Sequence, residues 1–72
     1  MQCRTVTNQF SVRKLPVKLR PARGYFILEY TGDRYETKSV MVNRLNQLSI
    51  EQWLEEANWF MEELKEKGIL TA

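Results

Sequence analysis

The segment LSIEQWLEEANWFMEELKEKGI, residues 48–69, constrains this chain more than any other stretch. Ser49 stands where an N-cap belongs, and Gln52 three residues later completes a capping box. Leu48 before the cap is placed to pack on Trp53 in the first turn. At the far end Gly68 fits the left-handed position after the last turn, which makes Leu64 and Ile69 the apolar pair of a Schellman motif. These signals predict a helix from about Ile50 to about Lys67. At about 100° per residue, Ile50, Trp53, Leu54, Ala57, Phe60, Met61 and Leu64 form one apolar stripe. Such a stripe needs a cover, and the preceding residues are the nearest candidate.

Those residues read as antiparallel sheet. GYFILEY and RYETKSVMV are rich in aromatic and β-branched side chains, and TGDR between them offers Gly32-Asp33 as a two-residue primed turn. That turn pairs Tyr30 with Tyr35 and Leu28 with Thr37. Phe26, Leu28, Tyr30 and Tyr35 then face the helix, while Tyr25, Ile27, Arg34, Lys38 and Val40 face outward. The same register sets Glu29 against Glu36, a like-charge pair, and a three-residue loop would shift the pairing by one. Upstream, Phe10 and Val12 alternate with polar residues, as do Leu15, Val17 and Leu19, with a break in parity near Pro16. Pro16 and Pro21 cannot donate ladder hydrogen bonds and confine this strand to an edge. Residues 42–48 serve as a connection into the helix.

The expected fold is α+β: a small three-stranded antiparallel β-sheet followed by one C-terminal amphipathic α-helix packed on one face. Residues 1–72 form a single domain, with residues 1–44 as a basic sheet half and residues 49–67 as an acidic helix. At 43% hydrophobic and 28% charged the chain has the balance of a folded globule. At 72 residues it buries only about 60% of its extended surface, so each large apolar side chain counts. The order of three strands and a helix is similar to that of small sheet-based DNA-binding domains, such as the arm-binding domains of phage integrases. The similarity is one of topology and carries no shared motif.

Composition narrows the chemistry. The chain contains no histidine and one cysteine, Cys3, so the commonest general base, the commonest zinc ligand and any internal disulfide are all missing. Cys3, with Arg4 as its cationic neighbour, is an incidental thiol on this reading. The expectation is a non-enzymatic protein with no catalytic residue, no metal, no cofactor and no small-molecule substrate. The opening MQCRTVTNQF lacks the apolar core of a secretion signal, and no stretch reaches the ~18 apolar residues of a membrane span. A cytoplasmic location with no membrane partner follows as an expectation.

Charge is unevenly divided. Residues 1–44 carry nine Lys and Arg against three Asp and Glu, a balance of +6. Residues 45–72 carry two lysines against six glutamates, a balance of −4. Clustered cations facing away from an acidic helix suit phosphate backbone, whether DNA or RNA. Arg13, Lys14, Lys18, Arg20 and Arg23 form the densest run, Arg34 and Lys38 extend it, and Tyr25 can stack on a base. The same cations would also keep an edge strand from pairing with another chain. The leading expectation is therefore a small nucleic-acid-binding or regulatory accessory protein.

Trp59 stands apart from the apolar stripe, among Glu55, Glu62, Glu63 and Glu66. Three readings fit it. The N-terminal segment or the tail at Ile69 and Leu70 covers it, it is an isolated exposed side chain, or it anchors a protein interface, where Trp is enriched. The last makes the chain an adaptor or inhibitor that docks through Trp59 and the acidic helix face. A homodimer on that face would need the glutamates to splay or to find Lys65 and Lys67 across the two-fold.

Overall fold

The computed structural model describes residues 2–70. It contains helix α1 (Cys3–Val12), strands β1 (Val17–Pro21), β2 (Phe26–Tyr30) and β3 (Thr37–Val40), a short helical turn at Leu45–Gln47, and helix α2 (Ile50–Glu66). The strands form one antiparallel sheet in the order β1-β2-β3. The α+β class, the three-stranded sheet and the C-terminal helix agree with the sequence reading. The N-terminal helix is new to it, so the order is no longer simply three strands and a helix.

Helix α2 forms where its local signals place it. The Ser49 hydroxyl accepts from the Gln52 N–H at 3.2 Å, and the Gln52 side chain accepts from the Ser49 N–H at 2.9 Å. At the other end Gly68 lies at φ +76. The Ile69 N–H reaches the Leu64 carbonyl at 2.9 Å and the Gly68 N–H reaches Lys65 at 3.0 Å, the two bonds of a Schellman motif. Its buried residues, Trp53, Leu54, Ala57, Phe60, Met61 and Leu64, are those of the apolar stripe.

Phe10 and Val12, read as part of the edge strand, belong instead to the end of helix α1 (Cys3–Val12). Cys3, Val6, Thr7 and Phe10 recur at i, i+3, i+4 and i+7. Val6 and Phe10 are completely buried, while Val12, which the alternating pattern would have buried, is exposed. The local signals for this helix are weak. Gln2 makes no side-chain cap bond, and Thr5, Val6, Thr7 and Val12 are β-branched. Tertiary packing decides it: α1 lies against β1 and α2. The Thr7 hydroxyl accepts the Leu19 N–H at 3.0 Å, which satisfies a donor on the open edge of β1. The break near Pro16 is thus the junction between a helix and a strand, and β1 with Pro21 at its end is an edge strand as its prolines require.

The β2–β3 register differs by one from the preferred expectation. Phe26 pairs with Val40, Leu28 with Lys38 and Glu29 with Thr37. The six residues 31–36 connect the strands. The Tyr30 N–H bonds the Glu36 carbonyl at 2.9 Å, and neither Gly32 nor Asp33 has the positive φ of a primed turn. This register avoids the Glu29–Glu36 opposition, buries Val40 against Phe26, and leaves Tyr35 exposed in the loop. Gly32 serves a different purpose from a primed turn: a Cβ there would collide with the phenol end of the Tyr30 side chain.

One core unites the elements: Val6 and Phe10 of α1, Val17, Leu19, Phe26, Leu28 and Val40 of the sheet, and the α2 stripe. Both helices therefore cover the same side of the sheet. The other face, with Lys18, Arg20, Ile27, Glu29, Thr37 and Ser39, is left open.

Helix α1 ends on a second Schellman motif in which Lys14 takes the left-handed position at φ +61. The Leu15 N–H bonds the Phe10 carbonyl and the Lys14 N–H bonds Ser11, both at 2.9 Å. An L-residue there costs roughly 1–2 kcal/mol of backbone strain. Lys14→Gly should accordingly stabilise the fold by about 0.5–1 kcal/mol and raise Tm by about 2–8 °C in a thermal melt followed by circular dichroism. An unchanged or lower Tm would show that the lysine side chain offsets the strain.

Candidate nucleic-acid interface and the exposed face of the C-terminal helix

The open sheet face is built by strand alternation. With Val17 and Leu19 turned into the core, Lys18 and Arg20 of β1 must point outward, and the β1–β2 register sets Lys18 opposite Glu29 and Arg20 opposite Ile27. The Glu29 carboxylate binds both cations, Lys18 Nζ at 3.1 Å and Arg20 Nε at 3.5 Å. Glu29 is only 15% exposed, whereas Lys18 and Arg20 keep 54% and 46%. The centre of the face is thus a carboxylate held beneath two cations that still reach solvent. Pairs this exposed contribute on the order of 0–1 kcal/mol each, so they orient the cations more than they stabilise the fold.

The remaining cations stand at the two ends of the sheet. Arg23 occupies the β1–β2 turn beside Gly24, whose φ of +83 demands glycine, and the Ala22 N–H bonds the Tyr25 carbonyl at 2.9 Å across that turn. Tyr25 is half-buried and Arg23 is exposed. At the opposite end the loop of residues 31–36 carries Arg34, Asp33 and the exposed Tyr35. Together with Lys18, Glu29 and Tyr30 they border an open depression of about 450 Å³. Arg13 and Lys14 close α1 just before Pro16, whose carbonyl accepts the Thr31 N–H at 2.9 Å, so they lie at this same end. Among the described residues Arg13, Lys14, Arg23 and Arg34 have no carboxylate within salt-bridge distance.

Lys38 is elsewhere. Opposite Leu28 it lies on the helix side of the sheet, where its Nζ bonds Glu63 Oε1 at 3.1 Å. The one-residue change of register is the physical reason, since it inverts the face of every β3 side chain. Lys67 makes a second tie between α2 and the sheet half, to Glu36 at 3.4 Å. The five cations of the basic run, Arg13, Lys14, Lys18, Arg20 and Arg23, are therefore divided among a helix end, a strand face and a turn. The residue that sequence reading passed over is Glu29, legible only once the β1–β2 register is known.

On α2, Trp59 is 49% exposed, and Glu55, Glu62, Glu63 and Glu66 around it are exposed as well. Ile69 and Leu70 are partly buried against the core. Glu62 pairs with Lys65 at 3.5 Å, three residues along the same helix.

No family model, curated protein or solved structure matches this chain. Among the described residues no helix is long and apolar enough to cross a membrane, and no three metal-ligating side chains converge.

Cys3 lies in the first turn of α1, partly packed on the core, and burial raises the thiol above its ordinary pKa. Less thiolate is then present at any given pH. Alkylation of Cys3 by iodoacetamide at pH 8 should accordingly run slower in the folded chain than in the same chain unfolded in urea. Equal rates would mean that the thiol is fully solvated.

Proposed function

We propose that this is a non-enzymatic nucleic-acid-binding accessory protein that holds a phosphate backbone along its open sheet face. The observation that supports this best is the separation of charge by the fold. Both helices lie on one side of the sheet, which directs the α2 glutamates away from the face that presents Lys18 and Arg20 between Arg23 and Arg34. Each cation has a role in this reading. Arg23 and Arg34, unpaired, grip phosphates at the two ends, while Lys18 and Arg20 exchange Glu29 for phosphate in between. Arg13 and Lys14 extend the basic surface past the start of β1, and the half-buried Tyr25, in the same turn as Arg23, is the aromatic for a base or sugar. Strand β2, five residues long, spans about 17 Å, the axial rise of roughly five base pairs of a duplex. Lys38, bound to Glu63, takes no part.

The test is fluorescence anisotropy of a labelled mixed-sequence duplex and single strand. Four phosphate contacts predict an affinity loss of about 10²-fold between roughly 50 mM and 200 mM salt. Arg23→Gln with Arg34→Gln should reduce the slope of log K against log salt by about 2 and leave the melting temperature unchanged. These are better probes than Lys18 or Arg20, whose removal strips Glu29 of its partners. Absence of binding at the lower salt would sink the reading.

Glu29 supplies an opposite-signed check. Glu29→Gln preserves shape, removes the competing carboxylate and frees two cations, so nucleic-acid affinity at low salt should rise several-fold. Unchanged affinity would place the phosphate path away from the sheet centre.

A further inference from the structure

We propose that the exposed face of α2 docks a Lys- and Arg-rich segment of a protein partner, with a guanidinium or ammonium group seated on the Trp59 indole. The two tryptophans of the chain have opposite environments. Trp53 is completely buried, packs edge-to-face on Phe26 and donates its indole N–H to the Leu45 carbonyl at 3.0 Å. Trp59 is half exposed, and among the described residues its indole N–H has no hydrogen-bond partner. It is the one large apolar side chain that α2 leaves to solvent.

What surrounds it selects the occupant. Glu55 and Glu56 lie one turn before Trp59 and Glu62 and Glu63 one turn after it, with Glu66 a further turn along. Glu62 and Glu63 are paired with Lys65 and Lys38, and among the described residues Glu55, Glu56 and Glu66 have no cation within salt-bridge distance. Residues at these spacings are surface neighbours about 5–6 Å apart at Cβ. An indole ringed by carboxylates attracts a cation twice over, through the ring quadrupole and through charge, and Arg suits both because its flat fork can stack and donate together. Nucleic acid and anionic lipid are repelled by the same field.

A symmetric dimer through this face sets glutamates against glutamates. Relief would have to come from Lys65 and Lys67, and both are engaged within the chain, Lys65 with Glu62 and Lys67 with Glu36. The chain's own cations that are unpaired among the described residues, including Arg13, Lys14, Arg23 and Arg34, could reach this face only in a head-to-tail contact, which does not close on itself and builds open chains of copies. A basic segment from a different protein is the occupant that this charge pattern fits.

The experiment titrates the full chain with a ten-residue Arg-Gly repeat peptide, with the Glu-Gly counterpart as control, at low salt, following indole fluorescence and calorimetric heat. The expected result is saturable binding of the Arg peptide alone, with a change in emission that disappears in Trp59→Leu. That variant should melt as wild type and bind about tenfold more weakly, while Trp59→Phe, which keeps a ring, loses less. Equal affinity in wild type and Trp59→Leu would overturn the proposal, since the acidic field alone would then account for binding. So would sedimentation of the free chain as a dimer that Trp59→Leu dissociates, which would assign the face to a second copy.

Discussion

Burial of the Trp53 indole is the interaction on which the remaining structure depends. Its ring meets Phe26 at a centroid distance of 5.8 Å and an interplanar angle of 76°, coupling the first turn of α2 to the central strand. Its N–H bond to the Leu45 carbonyl holds the connection between β3 and α2 against the same core. A buried indole needs a partner for that N–H, and the short helical turn at Leu45–Gln47 provides one. In a chain of this size no second core can compensate. Trp53 thereby pins the start of α2 to β2, and the rest of its buried stripe continues from this anchor.

Electrostatics then divides the surface without contributing much to its stability. The sheet half and the C-terminal helical segment carry opposite charge, yet among the described residues only Lys38–Glu63 and Lys67–Glu36 join them directly. Both ties involve β3 and its preceding loop. The opposite edge strand, β1, is shielded differently, by α1 and the Thr7 hydroxyl on the Leu19 N–H. Each edge is thus guarded against pairing with another chain, one by a helix and one by a charged side chain bound to a helix. The open face keeps its cations oriented by Glu29, and α2 keeps an aromatic among carboxylates, so the two outward surfaces suit ligands of opposite charge.

Much of this was legible in the residues, but unevenly. The α2 boundaries, its core stripe and the edge position of a proline-bearing strand all come from short patterns. The exposure of Trp59 agrees with its place outside the stripe. The basic run was legible as composition and not as a surface: consecutive cations fall to a helix end, a strand face and a turn, and Lys38 lies behind the sheet. Glu29, which organises the centre of the open face, carries no local mark at all.

By itself the sequence determined α2, because the capping box, the Schellman motif and the apolar stripe are satisfied by residues within a few positions of one another. Tertiary structure decided α1 and the β2–β3 register. The α1 segment has β-branched residues, no side-chain cap and a lysine at its left-handed end, and it becomes a helix because Val6 and Phe10 gain burial and Thr7 gains the Leu19 N–H. The Gly32-Asp33 turn signal favoured one register, while burial of Val40 and separation of Glu29 from Glu36 favoured the other. Where hydrogen bonds close locally, sequence suffices. Where they compete with burial against distant residues, the larger non-local free energy prevails.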